Sequence, residues 1–169
     1  MALSMHEISV PLILRGLGQL EHVLGKGIAH ARENNADPNQ YVQARLAPDM
    51  LTLAGQVQRA SDTAKATIAR ITGAQAPGFA DEESTMEQLI ARSGKTRTFV
   101  DGVDRGLFDS AADRVVEIKL GGNMMKFAGQ DYLLGFGLPN FYFHITTAYD
   151  VLRNQGVPIG KRDYLGKLA

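Results

Sequence analysis

Apolar residues near the N-terminus fall at Val10, Ile13, Leu17, Leu20, Leu24 and Ile28. Steps of three and four place them along one side of a helix, the stripe that a bundle helix turns toward its core. Ser4 and Glu7 stand ahead of it in capping-box spacing, where a hydroxyl and a carboxylate each satisfy an exposed amide. The pattern predicts one helix from about Ser4 to Asn34, bent near Pro11; the alternative is a start at that proline, with Ser9 as the cap. Asn34, Asn35, Asp37 and Pro38 end it, because the first three favour turns and the proline cannot continue the ladder. A second stripe, Met50, Leu53, Val57, Ala60, Ala64, Ile68 and Ile71, predicts a second helix with Pro48 in its first turn, Asp49 against its positive end and Gly73 as its stop. The third stripe, Met86, Leu89, Ser93, Thr96, Val100, Val103 and Leu107, opens with Ser84 and Glu87 in capping-box spacing. It is the weakest, since two of its positions are polar and Gly94 costs a helix interior about 1 kcal/mol.

The period then changes. Val115 to Leu120 alternates, Gly121-Gly122 follows, and a second short run reaches Ala128, which predicts a β-hairpin with both turn residues at positive φ. Val116, Ile118 and Leu120 share the face expected to pack on helices, because two strands alone are marginal in water. A last stripe, Leu138, Phe141, Ile145, Ala148 and Leu152, is stopped by Gly156 and Pro158, with a short lead-in from about Asp131 broken at Pro139. The fold class expected is all-α: a four-helix bundle with a β-hairpin between its third and fourth helices, forming one domain over residues 1–169.

Charge and composition narrow the function. Lys and Arg number 18 and Asp and Glu 18, so the chain carries no excess positive charge of the kind that draws a protein to nucleic acid. Cysteine is absent, which removes disulfides, thiolate nucleophiles and iron–sulfur ligation. No run is long and apolar enough to span a membrane, and MALSMHEISVPLIL lacks a basic leader, so the cytoplasm is the expected location. Gly156 and Gly160-Lys161 miss phosphate-loop spacing by one residue, and Arg162 stands where Ser or Thr is needed.

Of the four histidines, His22 and His30 lie about 12 Å apart along the first helix, too far to share an ion, and read as surface residues. His6, near the chain start, reads as a fraying or dimer-contact residue. His144 differs, for it lies among Phe141, Tyr142, Phe143 and Ile145, with Asn140 one turn before it on the same side. That pair reads either as a hydrogen-bonded polar couple in aromatic surroundings or as part of a functional pocket.

The segments SVPLILRGLGQLEHVL, RLAPDMLTLAGQVQRASDTAK and LPNFYFHITTAYDVLRNQGVPIGKRDYLG closely resemble the bacterial and fungal family known as domain of unknown function nineteen-ninety-three. That family belongs to the DinB/YfiT-like superfamily of four-helix bundles, whose members commonly hold a divalent metal. The resemblance implies one ligand from the second helix and an i, i+4 pair from the fourth, and in some members thiol-cofactor isomerase or transferase chemistry. Asp49, Asn140 and His144 are the residues this chain offers, a weak, oxygen-rich set suited to a loosely held divalent ion and not to tight zinc. The functions expected are a degenerate metal- or thiol-cofactor-dependent enzyme, or a small-molecule-binding protein with a pocket of Gln56, Tyr142, His144 and Tyr149, or a structural or stress-response dimer. A homodimer is expected in any case, since Leu12 and Leu14 lie outside the main stripe of the first helix. The alternative is that the segment holding Tyr41 and Val42 folds back over those leucines.

Overall fold

Ser4 and Glu7 do form a capping box: the Ser4 amide and hydroxyl each donate to Glu7 Oε2 at 2.8 Å, and the Glu7 amide donates back to Ser4 Oγ. In the computed structural model, which describes residues 3–166, that box closes a turn and not a helix. The bounds of the expected 1–169 domain therefore lie outside the described residues. Helix α1 runs Val10–Glu33, with Ser9 at its N-cap and Pro11 in its first turn, so the later of the two expected starts is the observed one. The physical reason is that Pro11 has no amide to give and fits where none is needed. The helix ends in a Schellman-type turn: Asn35 takes φ 53° and the Ala36 amide reaches back to Ala31 O at 2.9 Å.

A 3₁₀ turn, Pro38–Tyr41, follows, held by Asp37 accepting from the Asn39 amide. Tyr41 and Val42 are buried, but Tyr41 sits beside Gly27 and so covers the C-terminal half of α1 and not Leu12 or Leu14. Leu12 stays 38% exposed and Leu14 is partly buried. Helix α2 spans Leu53–Thr72, capped by Thr52, whose hydroxyl accepts from the Gly55 amide, and stopped by Gly73 at φ 82°. Pro48 and Asp49 therefore lie in the turn before the helix and not in its first turn, because Thr52 supplies the oxygen acceptor an N-cap requires. Helix α3, Met86–Asp101, opens on a capping box of Thr85 and Gln88, one residue later than the expected Ser84 and Glu87. It ends before Val103 and Leu107. Its two polar stripe positions are buried and satisfied: Ser93 Oγ donates to Leu17 O, and Thr96 shares a 2.7 Å hydrogen bond with Ser61.

Strands β1 (Val115–Leu120) and β2 (Asn123–Ala128) pair antiparallel, with Val116 opposite Phe127 and Ile118 opposite Met125. Gly121 and Gly122 turn the chain at φ 53° and 90°. Val116 and Ile118 are buried as expected, whereas Leu120, near the tip, is exposed. On the other face Lys126 pairs with Glu117 at 2.7 Å. Gly129 then admits the chain: a Cβ there would stand 1.9 Å from Ala111 O. The fourth bundle helix is assembled from α4 (Gly129–Tyr132), a π turn (Leu133–Gly137) and α5 (Leu138–Asn154), which follow one another without a break. Pro139 lacks the donor that a regular turn would use, and a widened turn next to it takes the place of the expected interruption. A short α6, Lys161–Leu165, which the stripe pattern did not predict, lies back against α1.

Helix α1 packs on α3 and α5, and α2 packs on α5 and α3, around Ile13, Leu17, Leu20, Leu24, Ile68, Leu89, Phe141 and Leu152. The all-α bundle with an inserted hairpin is thus the observed fold. Among the described residues no helix is long and apolar enough to cross a membrane. Replacing Ile118 with Asp would bury an unpaired charge and is expected to cost about 3 kcal/mol or more, read as a fall in the urea midpoint. An unchanged midpoint would mean that the hairpin does not pack through this face.

Candidate functional site

The polar positions of α2 and α5 meet along one seam. Gln56, on the first turn of α2, is buried, and its Oε1 lies 2.8 Å from His144 Nδ1 on α5. A carboxamide oxygen only accepts, so Nδ1 carries the proton and Nε2 keeps a free lone pair. Further along, Asn140 Nδ2 donates to Thr63 Oγ1 at 3.0 Å. Beyond it Thr67 lies fully buried against Gly137, where a Cβ would stand 2.8 Å from Thr67 Cγ2. Thr67 Oγ1 is one of the buried polar atoms without a hydrogen-bond partner among the described residues. The seam ends where Arg70 Nη1 donates to the Tyr132 hydroxyl at 2.9 Å.

The spacing explains the π turn. From His144 to Asn140 to Gly137 the seam steps by four and then three, as a regular helix face does. Tyr132 lies five residues before Gly137, a step of about 140° round a regular helix. The wider π turn absorbs that excess, so both residues face α2.

His144 is half-buried, and burial, followed by the nearby positive charge of Arg59, pushes its pKa below the ordinary imidazole value. The ring is therefore neutral near pH 7, with Nε2 as an acceptor or base. Phe143 meets it edge-on, with centroids 5.3 Å apart, and is itself 55% exposed. Arg59 is held at 3.0 Å by Asp62 on α2 and also pairs with Asp81.

The structure brings together some of the residues expected in a site and separates others. Gln56 and His144 are in contact. Tyr142 and Tyr149 are seven apart and share a side of α5, but Tyr142 precedes His144 by only two residues and faces nearly the opposite way. Its hydroxyl donates to Leu12 O at 2.8 Å on α1, and the Tyr149 ring meets Tyr164 of α6 at 5.9 Å. The four expected pocket residues thus divide between two faces of one helix. Of the expected metal set, Asn140 and His144 lie one turn apart with Thr63 and Gln56 as their partners. Asp49 is exposed in the turn before α2, with no hydrogen bond or ion pair to either among the described residues. The other histidines lie elsewhere: His6 packs edge-on against Phe108, His22 pairs with Asp163, and His30 contacts Asn34.

Sequence reasoning missed a buried charge network at the other flank of α2. Arg92 on α3 has a side chain only 1% exposed, and its guanidinium meets Asp62 at 3.0 Å, Asp81 and Glu83 at 2.9 Å, and Ala80 O at 2.9 Å. Lys65 Nζ donates to Pro77 O and lies 3.8 Å from the centre of the Phe79 ring. Burial pushes Glu83 upward, but hydrogen bonds from Gln58 and Arg92 outweigh it and hold the carboxylate below its usual range. Glu83 is thus a partner of Arg92. The available signal was the position of Arg92, three residues after Leu89 and one before Ser93, beside the inward stripe.

This bundle with its inserted hairpin is a DinB-like helical fold. The solved structure of a DinB family member protein from Shewanella denitrificans superimposes with a TM-score of 0.87 at 35% sequence identity, covering 97% of this chain and 93% of that one. A family profile described as a domain of unknown function, DUF1993, matches residues 5–165, and the chain belongs to that family. A search of curated proteins found no match to this chain.

The direction of the His144 shift fixes a pH dependence. A folded-state pKa below the unfolded value near 6.5 means that the folded chain binds fewer protons here than the unfolded one. The corresponding stability is complete above about pH 6.5 and is lost as the pH falls toward the depressed folded value. Nitrogen-detected NMR should show His144 with its proton on Nδ1 at pH 7 and titrating below about 6.5. His144→Gln should flatten that part of the stability profile, and a titration at or above the free value would refute the assignment.

Proposed function

We propose that the protein is a metal-independent binder of small molecules, with His144 Nε2 receiving a hydroxyl, amide or thiol proton from the ligand. One observation carries the reading: buried Gln56 fixes the imidazole tautomer, leaving a neutral ring with a free lone pair beside Phe143. Asn140 Oδ1 supplies a second acceptor one turn away, its amide nitrogen donating to Thr63 Oγ1. A pre-set acceptor of this kind binds with little reorganisation.

The donor set does not fit the divalent metal that the superfamily implies. The charged group acting on His144 is the Arg59 guanidinium, whose field lowers the pKa of the ring and opposes a cation for the same reason. Among the described residues no group of three or more His, Cys, Asp or Glu side chains is placed to hold an ion. A lone imidazole with a carboxamide is a poor zinc site. Binding without metal is therefore favoured over a degenerate metal- or thiol-dependent enzyme. The homodimer belongs to the same proposal and rests on the exposed Leu12 of α1.

Tag-free protein dialysed against a mild chelator is expected to retain far less than one zinc per chain, measured by elemental analysis. Retention near one ion per chain, lost in His144→Ala, would overturn the metal-independent reading. Light scattering is expected to give twice the 18.3 kDa chain mass, and a mass of one chain across micromolar concentrations would remove the dimer.

A further inference from the structure

On the opposite side of α5 from His144, a cleft of about 180 Å³ lies between α1, α5 and α6. Its walls are Arg15, Gln19, Tyr142, Ile145, Tyr164 and Leu165, with Gly16 beneath them. The volume suits a single ring, for an apolar protein cavity of about 150 Å³ accommodates benzene. The chemistry of the walls is divided. Both tyrosine hydroxyls are engaged, Tyr142 with Leu12 O at 2.8 Å and Tyr164 with Thr146 at 2.9 Å. Their rings are thereby left to offer carbon surface, and burial keeps the Tyr142 phenol neutral by raising its pKa. The polar capacity comes from Arg15 and Gln19. Arg15 uses one donor on Leu165 O at 2.7 Å and has no carboxylate partner among the described residues. A guanidinium carries five N–H donors, so several stay available for a planar anion.

The wall formed by α6 joins one core-packed ring, that of Tyr164, to polar contacts at the surface. None of its residues is fully buried, and polar contacts fasten it to α1: Asp163 to His22 at 3.0 Å and to Lys26 at 3.9 Å, together with the Arg15 bond to Leu165 O.

We propose that this cleft binds a small aromatic carboxylate, its ring between Tyr142 and Tyr164 and its carboxylate on Arg15. The site is independent of the His144 seam, and its ligand class follows from the pairing of two aromatic walls with one guanidinium. Benzoate is the probe, with benzyl alcohol as the ring without the charge. Titration of the full chain followed by amide NMR should give saturable shifts at Arg15, Gln19 and Tyr164, with benzoate bound roughly tenfold more tightly than benzyl alcohol. Arg15→Gln, an exposed position whose change leaves the core intact, should remove that preference while retaining weak binding of both compounds. Tyr164→Leu should weaken both compounds alike. Absence of saturable shifts with benzoate at about 10 mM, a preference that survives Arg15→Gln, or shifts confined to the α2–α5 seam would each overturn the proposal.

Discussion

At Gly137, where the π turn leads into α5, the missing side chain lets Thr67 of α2 rest against the backbone. Every polar contact of the seam depends on that close approach. Gln56 reaches His144 and Thr63 reaches Asn140 only because the two helices stay close over this length. A methyl group at residue 137 would press on Thr67 and push the helices apart, the kind of overpacking that costs about 1–3 kcal/mol. The geometry of His144 is thus set by packing two turns away, and its tautomer by an amide that has no exposure with which to choose another partner.

The Arg92 network does a different kind of work. Taking a guanidinium out of water carries a desolvation penalty that ion pairing offsets only when the geometry is good and the hydrogen bonds are many. Here three carboxylates and a carbonyl meet the two terminal nitrogens, while Nε has no partner among the described residues. The carboxylates Asp81 and Glu83 lie in the connection between α2 and α3, so the charge cluster fastens a long non-helical segment onto both helices. Arg59 shares Asp62 and Asp81 with it, and through Arg59 the same cluster reaches the electrostatics of His144.

Much of this fold was legible as periodicity. The four apolar stripes correspond to buried faces over most of their length, with Met50 falling before α2 and Val103 and the exposed Leu107 after α3, and the Gly121-Gly122 pair marks the hairpin turn with both residues at positive φ. The helix starts were less legible, because several residues near each boundary have capping chemistry: Thr85 caps where Ser84 was expected, and Thr52 caps a helix whose start was expected at Pro48 and Asp49. The site was legible only in part. A helical spacing of four correctly set Asn140 and His144 on one side, but Tyr142 and Tyr149 needed their angular positions compared with His144, which puts them against α1 and α6. Gln56 could be matched with His144 only once α2 and α5 were in register, a long-range property that no local pattern contains. The π turn was hidden for the same reason, since its cause is the simultaneous demand of Tyr132 and Gly137 for the same neighbour.

That turn also separates the helix into two parts with independent phase. The α4 segment is committed through Gly129 to the turn at Ala111 that leads into the hairpin, and to Arg70 through Tyr132, whereas α5 is committed to Gln56 and Thr63. A residue gained or lost in a regular helix rotates everything beyond it by about 100° relative to what precedes it. Placed between the two commitments, the widened turn holds such a rotation in a single loop of backbone. The hairpin end and the His144 end can therefore accept changes of length or sequence separately, provided the turn between them is rewound to match.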